Sequence, residues 1–194
     1  MTETIETRHS QDVGNIIALE HVNFQIDRQD WATLFYVTGL GLTRDPYLMV
    51  GLENMWINVG AQQFHLPTRT PQQVLRGRVG LVLPDLDALA ARLDEIAPQL
   101  SDTRFTFTRN GDRVDVTCPW GNHIRCHAPS DEPRAIRLGM PYVEFDVPVG
   151  SAAGIARFYS RVMGAPGEVE NDAGSAVASI TVGDGQRLRF RETT

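Results

Sequence analysis

The stretch from Leu19 to Leu42, LEHVNFQIDRQDWATLFYVTGLGL, decides the fold because its two halves predict a β-strand followed by a helix. Residues Leu19 to Ile26 are rich in apolar and β-branched side chains, which is typical of a strand. Residues Asp30 to Leu40 place apolar side chains at helical spacing from Trp31 onward, and glycine follows as a stop signal. We therefore expect a strand–helix pair at this point of the chain.

The same strand–helix pair occurs twice more in the sequence. Arg78 to Asp85, RVGLVLPD, precedes the helical stretch Leu86 to Leu100, and Pro141 to Val147, PYVEFDV, precedes the helical stretch Ala153 to Met163. Short extended segments separated by turn residues follow each pair. They are MWINVG and QQFHLPT, then RFTFTRNG, DRVDVTC and NHIRCHAP, and finally SAVASITVGDG and QRLRFRE. The pattern predicts three βαβββ modules that begin near residues 18, 77 and 139.

The predicted fold class is therefore α+β, with tandem modules. One βαβββ module leaves a sheet face and an edge exposed, so we expect modules to pair and close a cup-shaped half-barrel. Residues 18–129 would form one domain of two modules, residues 130–138 a linker, and residues 139–194 a third, unpaired module. The polar residues 1–17 predict a flexible leader. The unpaired module has to pack on the first pair or find a partner in a second chain, which predicts a partner surface and a homodimer.

Composition excludes several classes of protein. The net charge of −6 argues against a nucleic-acid surface, which normally needs a basic face. No apolar run approaches the roughly 18 residues that cross a bilayer, and no signal peptide is recognisable, so we expect no membrane association and a cytoplasmic location. Cys118 and Cys126 have a spacing that would let them face each other across a hairpin, but in that compartment two reduced thiols are favoured.

Taken together, these segments resemble the vicinal-oxygen-chelate superfamily, which includes glyoxalase I, extradiol dioxygenases, epimerases and bleomycin- or fosfomycin-resistance proteins. The resemblance rests on LEHVNFQI, the FY and GLG of the first helix end, QFHLP, VGLVLPDLDAL and the CPWGNHIRCHAP hairpin, in that order. It covers nearly the whole chain after residue 17. It implies an enzyme of lyase, isomerase or ring-cleavage type that acts on a small anionic or oxygen-bearing organic substrate.

The resemblance also implies where a metal would bind. Metal-using members hold a divalent ion with four residues from the first and last strands of paired modules. Those positions fall here on His21, His65, Arg78 and Arg125. The imidazoles suit iron, manganese, nickel or zinc, but a guanidinium has no lone pair for a metal. We therefore expect an incomplete metal site, with two of the four ligands replaced by arginine.

The same four residues are candidates for chemistry without a metal. His21 and His65 are candidate catalytic acid/base groups, or alternatively hydrogen-bonded histidines of a sheet surface. Arg78 and Arg125 are candidates for binding a carboxylate, phosphate or enolate oxygen, or alternatively strand arginines paired with carboxylates. His127 shares a strand face with Arg125 and is a candidate third imidazole.

Four further residues are predicted to contact substrate from the same surfaces: Gln63, Asn23, Trp56 and Glu144. For Glu144 the alternative is a salt bridge to an arginine. In the third module the positions that correspond to the metal ligands hold Tyr142 and Arg189, so this module cannot bind a metal by itself. Phosphate loops, nucleophile elbows and His-Glu-x-x-His helices do not occur in the sequence.

Three functions remain open at this point. The first is a small-molecule enzyme that works in a cup formed by the first two modules. The second is a metal-free protein that binds and sequesters a small molecule, as bleomycin-resistance proteins do. The third is an assembly module in which the third βαβββ unit drives dimerisation.

Overall fold

Three βαβββ modules follow one another along the chain in a computed structural model that describes residues 16–48, 53–132 and 135–194. The chain divides into a larger unit, Glu20–Val143, and a smaller unit that contains Glu144–Thr194 and the described residues 16–19. The predicted linker at residues 130–138 belongs to the larger unit. Of the predicted leader, residues 1–15 lie outside the described residues.

The first module forms a four-stranded sheet in the order β1-β4-β3-β2, with β1 parallel to β4. Its elements are β1 (His21–Asn23), α1 (Gln29–Ala32, continuing as a π-helix over Thr33–Gly39), β2 (Thr43–Arg44), β3 (Asn54–Val59) and β4 (Gln62–Pro67). The predicted strand Leu19–Ile26 is longer than β1. The amides of Phe24 and Ile26 still donate to β4 at 2.9 Å, but Pro67 has no N–H to return a bond, so the regular ladder ends early.

The second module repeats this order as β5-β8-β7-β6. Its elements are β5 (Gly77–Val82), α2 (Leu86–Ile96, followed by a 3₁₀ turn over Ala97–Leu100), β6 (Thr106–Asn110), β7 (Arg113–Thr117) and β8 (His123–His127). Asp85 caps α2, because its Oδ1 accepts hydrogen bonds from the amides of Asp87 and Ala88 at 2.9 Å. The helix changes to 3₁₀ geometry where Pro98 cannot donate an α-helical bond.

The third module has the order β9-β12-β11-β10. Its elements are β9 (Gly139–Pro148), α3 (Ala152–Val162), β10 (Gly167–Asp172), β11 (Ser175–Gly183) and β12 (Gln186–Thr193). The last three form the antiparallel part of the smaller unit. Of these three strands the sequence pattern predicts only β11 and β12, because GEVEND in β10 is an acidic edge strand without apolar alternation. Three βαβββ modules and the α+β class are thus confirmed.

In the larger unit the helices cover the apolar face of each sheet. The ring of Tyr36 lies 5.0 Å from that of Phe64 in β4, and α2 buries four side chains at helical spacing. The two helices also contact each other at Gly39, where an added Cβ would come within 2.4 Å of the Cδ1 of Ile96. Because the helices occupy the apolar faces, the polar side chains of the strands lie on the opposite faces.

The two cysteines lie in the core of the larger unit. Cys118 and Cys126 are free thiols with no exposed surface. Burial raises the pKa of both thiols, that of Cys126 to about 12. Within the described part of the chain, no helix has the length and apolar character needed to span a bilayer.

Candidate functional site

Five predicted site residues share the polar face of the first sheet. His21 lies opposite Gln63 and Asn23 opposite His65 in the β1/β4 pairing, and Trp56 lies opposite His65 in the β3/β4 pairing. Alternating residues of a strand point to one side of the sheet. The structure therefore brings these two histidines and their three polar or aromatic neighbours together on one face.

The two histidines of this face are held by neighbouring side chains. Trp56 stacks on His65 with a ring separation of 4.0 Å and an interplanar angle of 10°. The ring of His21 lies 6.2 Å from that of His65, and its Nδ1 pairs with the carboxylate of Glu20. His65 Nε2 bonds the Oδ1 of Asn54 at 3.1 Å. Burial, and then the charges of His21 and a nearby arginine, lower the pKa of His65, so its imidazole is neutral at neutral pH.

This face does not fit the four-ligand metal site that the resemblance implied. Among residues 16–48, 53–132 and 135–194, no three His, Cys, Asp or Glu side chains are grouped so that they could hold a metal ion. The side chain of Gln63 is held in place by hydrogen bonds, since its Nε2 donates to Asp45 at 3.0 Å and to Asn58 at 2.7 Å. A site of His21 and His65 alone stays a prediction, and it would leave most of the metal's coordination to water or substrate.

The predicted arginines lie on the polar face of the second sheet. Arg78 pairs in register with His123, and Arg125 pairs with Asp115. A cavity of about 350 Å³ opens on this face and is lined by both arginines, by Asp115 and His123, and by threonines of β6 and β7. The histidines His21 and His65 belong to a different sheet.

Among the described residues that line this cavity, positive charge predominates. The Asp115 carboxylate accepts from Arg125 Nε at 2.6 Å and from Arg113 Nε at 3.3 Å. Although burial opposes the shift, the hydrogen bond from Arg125 lowers the pKa of Asp115. Among the described residues that line the cavity, Asp115 alone is acidic. We call Arg78, Arg113, Arg125 and Asp115 the arginine face; it sets three permanent positive charges against one negative charge.

A histidine–tyrosine pair lies beyond Arg125 on the same strand face. His127 Nε2 is 3.0 Å from the hydroxyl of Tyr142 in β9. Burial, followed by the charge of Arg125, lowers the pKa of His127. The sequence makes this histidine a candidate third imidazole beside His21 and His65; it lies in the second sheet, whereas they lie in the first.

Glu144 is buried in an ion-pair network with two arginines. It belongs to the smaller unit, is only 3% exposed, and accepts from Arg189 Nε at 3.1 Å and from Arg191 Nε at 3.2 Å. Arg189 also contacts Glu170 at 2.8 Å and Asp172 at 2.7 Å. The salt-bridge alternative therefore describes Glu144, and its contact with substrate stays a prediction.

Asp115 and Tyr142 were not among the predicted site residues. Asp115 could have been found, because the hairpin pairs residues equally distant from its turn, and Arg125 is then its partner. Tyr142 could not, because its contact with His127 depends on how strands of consecutive modules approach each other, which leaves no local sequence signal.

Comparison with known proteins identifies the fold. The chain superposes on glyoxalase I from Zea mays with a TM-score of 0.62 at 14% identity, over 90% of this chain and 66% of that one. A single-residue variant of the same enzyme gives 0.68 at 14% identity, over 96% and 72%. The chain spans about two thirds of the length of the structures that it matches first, from 64% to 72%. No family model and no curated protein matches the sequence. The chain thus has the vicinal-oxygen-chelate fold.

Proposed function

We propose that this protein is an enzyme that binds a small organic anion on the arginine face and transforms a carbon next to one of its oxygens. The observation that carries this proposal is the cavity of about 350 Å³ lined by both Arg78 and Arg125. The predicted reaction class is lyase, isomerase or ring-cleavage chemistry, which has in common that negative charge develops on an oxygen beside the reacting carbon.

The contacts of Arg125 prepare it for this role. Asp115 takes the Nε donor of Arg125 at 2.6 Å, which orients the guanidinium, while the donors on its two Nη atoms are separate from that bond. A guanidinium fixed in this way loses little further entropy when it binds a carboxylate or enolate in a two-pronged fashion. Arg78, on the neighbouring strand, supplies a second permanent charge to the same cavity.

The residues of the first sheet face would have a role other than binding the anion. His21 and His65 remain candidate acid/base groups, with Trp56, Gln63 and Asn23 as their neighbours for a ligand. No step through a metal ion is proposed for them. The arginine face would equally serve a protein that only sequesters an anion, so binding and turnover have to be measured separately.

Calorimetric titration with oxalate tests the binding step. Oxalate is a planar dianion whose oxygens lie on two adjacent carbons. It therefore resembles the enolate that we expect the two guanidiniums to bind. We expect Arg125→Ala to weaken oxalate binding roughly 10- to 100-fold, since a hydrogen bond to a charged group contributes about 1.5–3 kcal/mol.

Arg109→Ala is the matched control. Arg109 lies on β6 of the same sheet and pairs at 3.2 Å with Asp87, whose side chain is 91% exposed, so this variant removes the same charge away from the cavity. It should bind oxalate like the unchanged protein. No oxalate binding, or equal weakening in both variants, would contradict the proposed anion site.

A further inference from the structure

We propose that His127 and Tyr142 form a proton-relay pair that moves a proton of the molecule held on the arginine face. This inference rests on the proposed function, because the relay acts on the anion bound by Arg78 and Arg125. It gives the site an acid/base group within its own sheet, independent of His21 and His65.

His127 lies on the side of the second sheet that carries Arg125. β8 carries His123, Arg125 and His127 on alternate residues, so all three share one side of the sheet. His127 thus lies next along the strand from the arginine that lines the cavity. Both members of the pair are only partly buried, so a bound molecule can reach them.

A hydrogen bond joins the two side chains. Tyr142 OH and His127 Nε2 are 3.0 Å apart, and the two rings meet edge to face with centroids 5.8 Å apart. A neutral imidazole has one ring nitrogen that accepts a proton. In the tautomer protonated at Nδ1, His127 accepts from the phenol and can take its proton when the phenol takes another.

The backbone of β5 makes room for the tyrosine ring. Tyr142 lies on Gly80 of β5, where an added Cβ would come within 2.4 Å of the Cε1 of the ring. Gly80 is paired in register with Arg125. A side chain at position 80 would therefore displace the ring from beside the anion site, which makes Gly80 a positioning residue.

The charges that face His127 keep it ready to accept a proton. Burial has the largest effect, and the charges of Arg125 and Arg113 also lower its pKa, against the opposing effects of Asp112 and Asp115. The ring is therefore neutral at neutral pH. An anion bound on the arginine face would offset part of this positive charge, so the proton affinity of His127 rises when substrate is present.

The proposed step balances without a further reactant. A C–H bond next to the substrate carbonyl breaks, its proton goes to the Tyr142 oxygen, and the phenol's own proton goes to His127 Nε2. The electron pair becomes an enolate whose oxygen is held by Arg78 and Arg125. The reverse transfer returns a proton to the same or a neighbouring carbon.

Exchange of the methyl protons of pyruvate in D₂O, followed by proton NMR, tests the relay. We expect the unchanged protein to catalyse this exchange, and Tyr142→Phe to slow it roughly 100-fold or more. His127→Gln should slow it similarly, because an amide accepts the hydrogen bond but not the proton. The exchange rate should also fall at pH values below the pKa of His127, and His127→Gln should lose this dependence.

Two further variants separate chemistry from structure. Tyr47→Phe is the control, because Tyr47 is 91% exposed and has no part in the proposed site; it should leave the exchange rate unchanged. Gly80→Ala should slow exchange while keeping both members of the pair. Calorimetry with oxalate accompanies each variant, and Tyr142→Phe should bind oxalate within about twofold of the unchanged protein, since the ring is retained.

The outcomes distinguish this inference from the one on which it rests. If the unchanged protein does not bind oxalate, the proposed anion site fails. If it binds oxalate but does not exchange pyruvate protons, or if Tyr142→Phe exchanges them at the unchanged rate, the relay is overturned and the anion site stands.

Discussion

Arg125 and Arg189 occupy corresponding positions in the last strands of the second and third modules, but their surroundings differ. Arg125 shares the single carboxylate of Asp115 with another arginine. Arg189 contacts Glu144 together with two further carboxylates, Glu170 and Asp172. The repeated position therefore carries an under-neutralised charge in one module and a fully compensated charge in the other.

We propose that this difference lets one repeat position serve anion binding in one module and stability in the next. A guanidinium surrounded by three carboxylates has no electrostatic reason to bind a further anion. One that shares a carboxylate with a second arginine retains a favourable field for an anionic ligand. The ligand site is thus better identified by the balance of charge around an arginine than by the arginine itself.

The largest expected effect comes from breaking the compensated network. Glu144→Gln removes a carboxylate that is 3% exposed and accepts from two arginines. We expect the smaller unit to lose about 3 kcal/mol in its free energy of unfolding, measured by urea denaturation. Glu168→Gln, on an exposed position of β10, is the control and should change little. A loss well below 1 kcal/mol in Glu144→Gln would mean that the network contributes no net stability.

A smaller effect is expected from making the under-neutralised face more positive. Asp115→Asn keeps an oxygen for the Nε of Arg125 but removes the negative charge. We expect oxalate to bind several-fold more tightly, and stability to fall by about 1 kcal/mol because a charge-assisted bond becomes a neutral one. Calorimetry and urea denaturation measure the two quantities. Weaker oxalate binding in this variant would show that Asp115 acts mainly by orienting Arg125.

The corresponding change in the other module should leave ligand binding untouched. Arg189→Lys keeps the charge but loses the planar fork that contacts its carboxylates. Oxalate affinity should stay within about twofold of the unchanged protein, because this arginine is already neutralised. A loss of oxalate affinity comparable to that of Arg125→Ala would contradict the claim that Arg125, and not Arg189, binds the anion.

The smallest expected effect is a pH dependence of stability from His127. Its folded-state pKa lies below the ordinary value near 6.5, so the unfolded chain binds a proton at a higher pH than the folded chain does. The stability is fully present above the unfolded pKa and is lost as pH falls from there through the folded pKa. Urea denaturation between pH 7 and pH 5 should show this slope, and His127→Gln should reduce it.

The fold could be predicted because alternation, helical spacing and turn residues are local signals. The faces of the strands followed from the same alternation, which places Gln63 and His65 on one side of β4. His21 joins them through the β1/β4 pairing, which is seen only in the structure. The acidic edge strand β10 was missed because an edge strand needs no apolar face toward a core.

The candidate site was less predictable, because it depends on which modules and strands meet. His21 and Arg78 occupy the same position of consecutive modules, yet they lie in different sheets. The bond between His127 and Tyr142 joins residues of two modules. The local sequence of one module does not predict which strand of the next module lies beside it. Local sequence predicts which residues face the polar side of a sheet, but not which polar sides form a site.

The two buried thiols provide a way to measure how often the larger unit opens. Cys118 and Cys126 are the only cysteines in the chain, and both lie without exposed surface between Glu20 and Val143. A thiol-specific reagent can react with them only while this unit is open, and burial also keeps them from ionising. The labelling rate in native buffer therefore reports how often the larger unit opens around these two thiols.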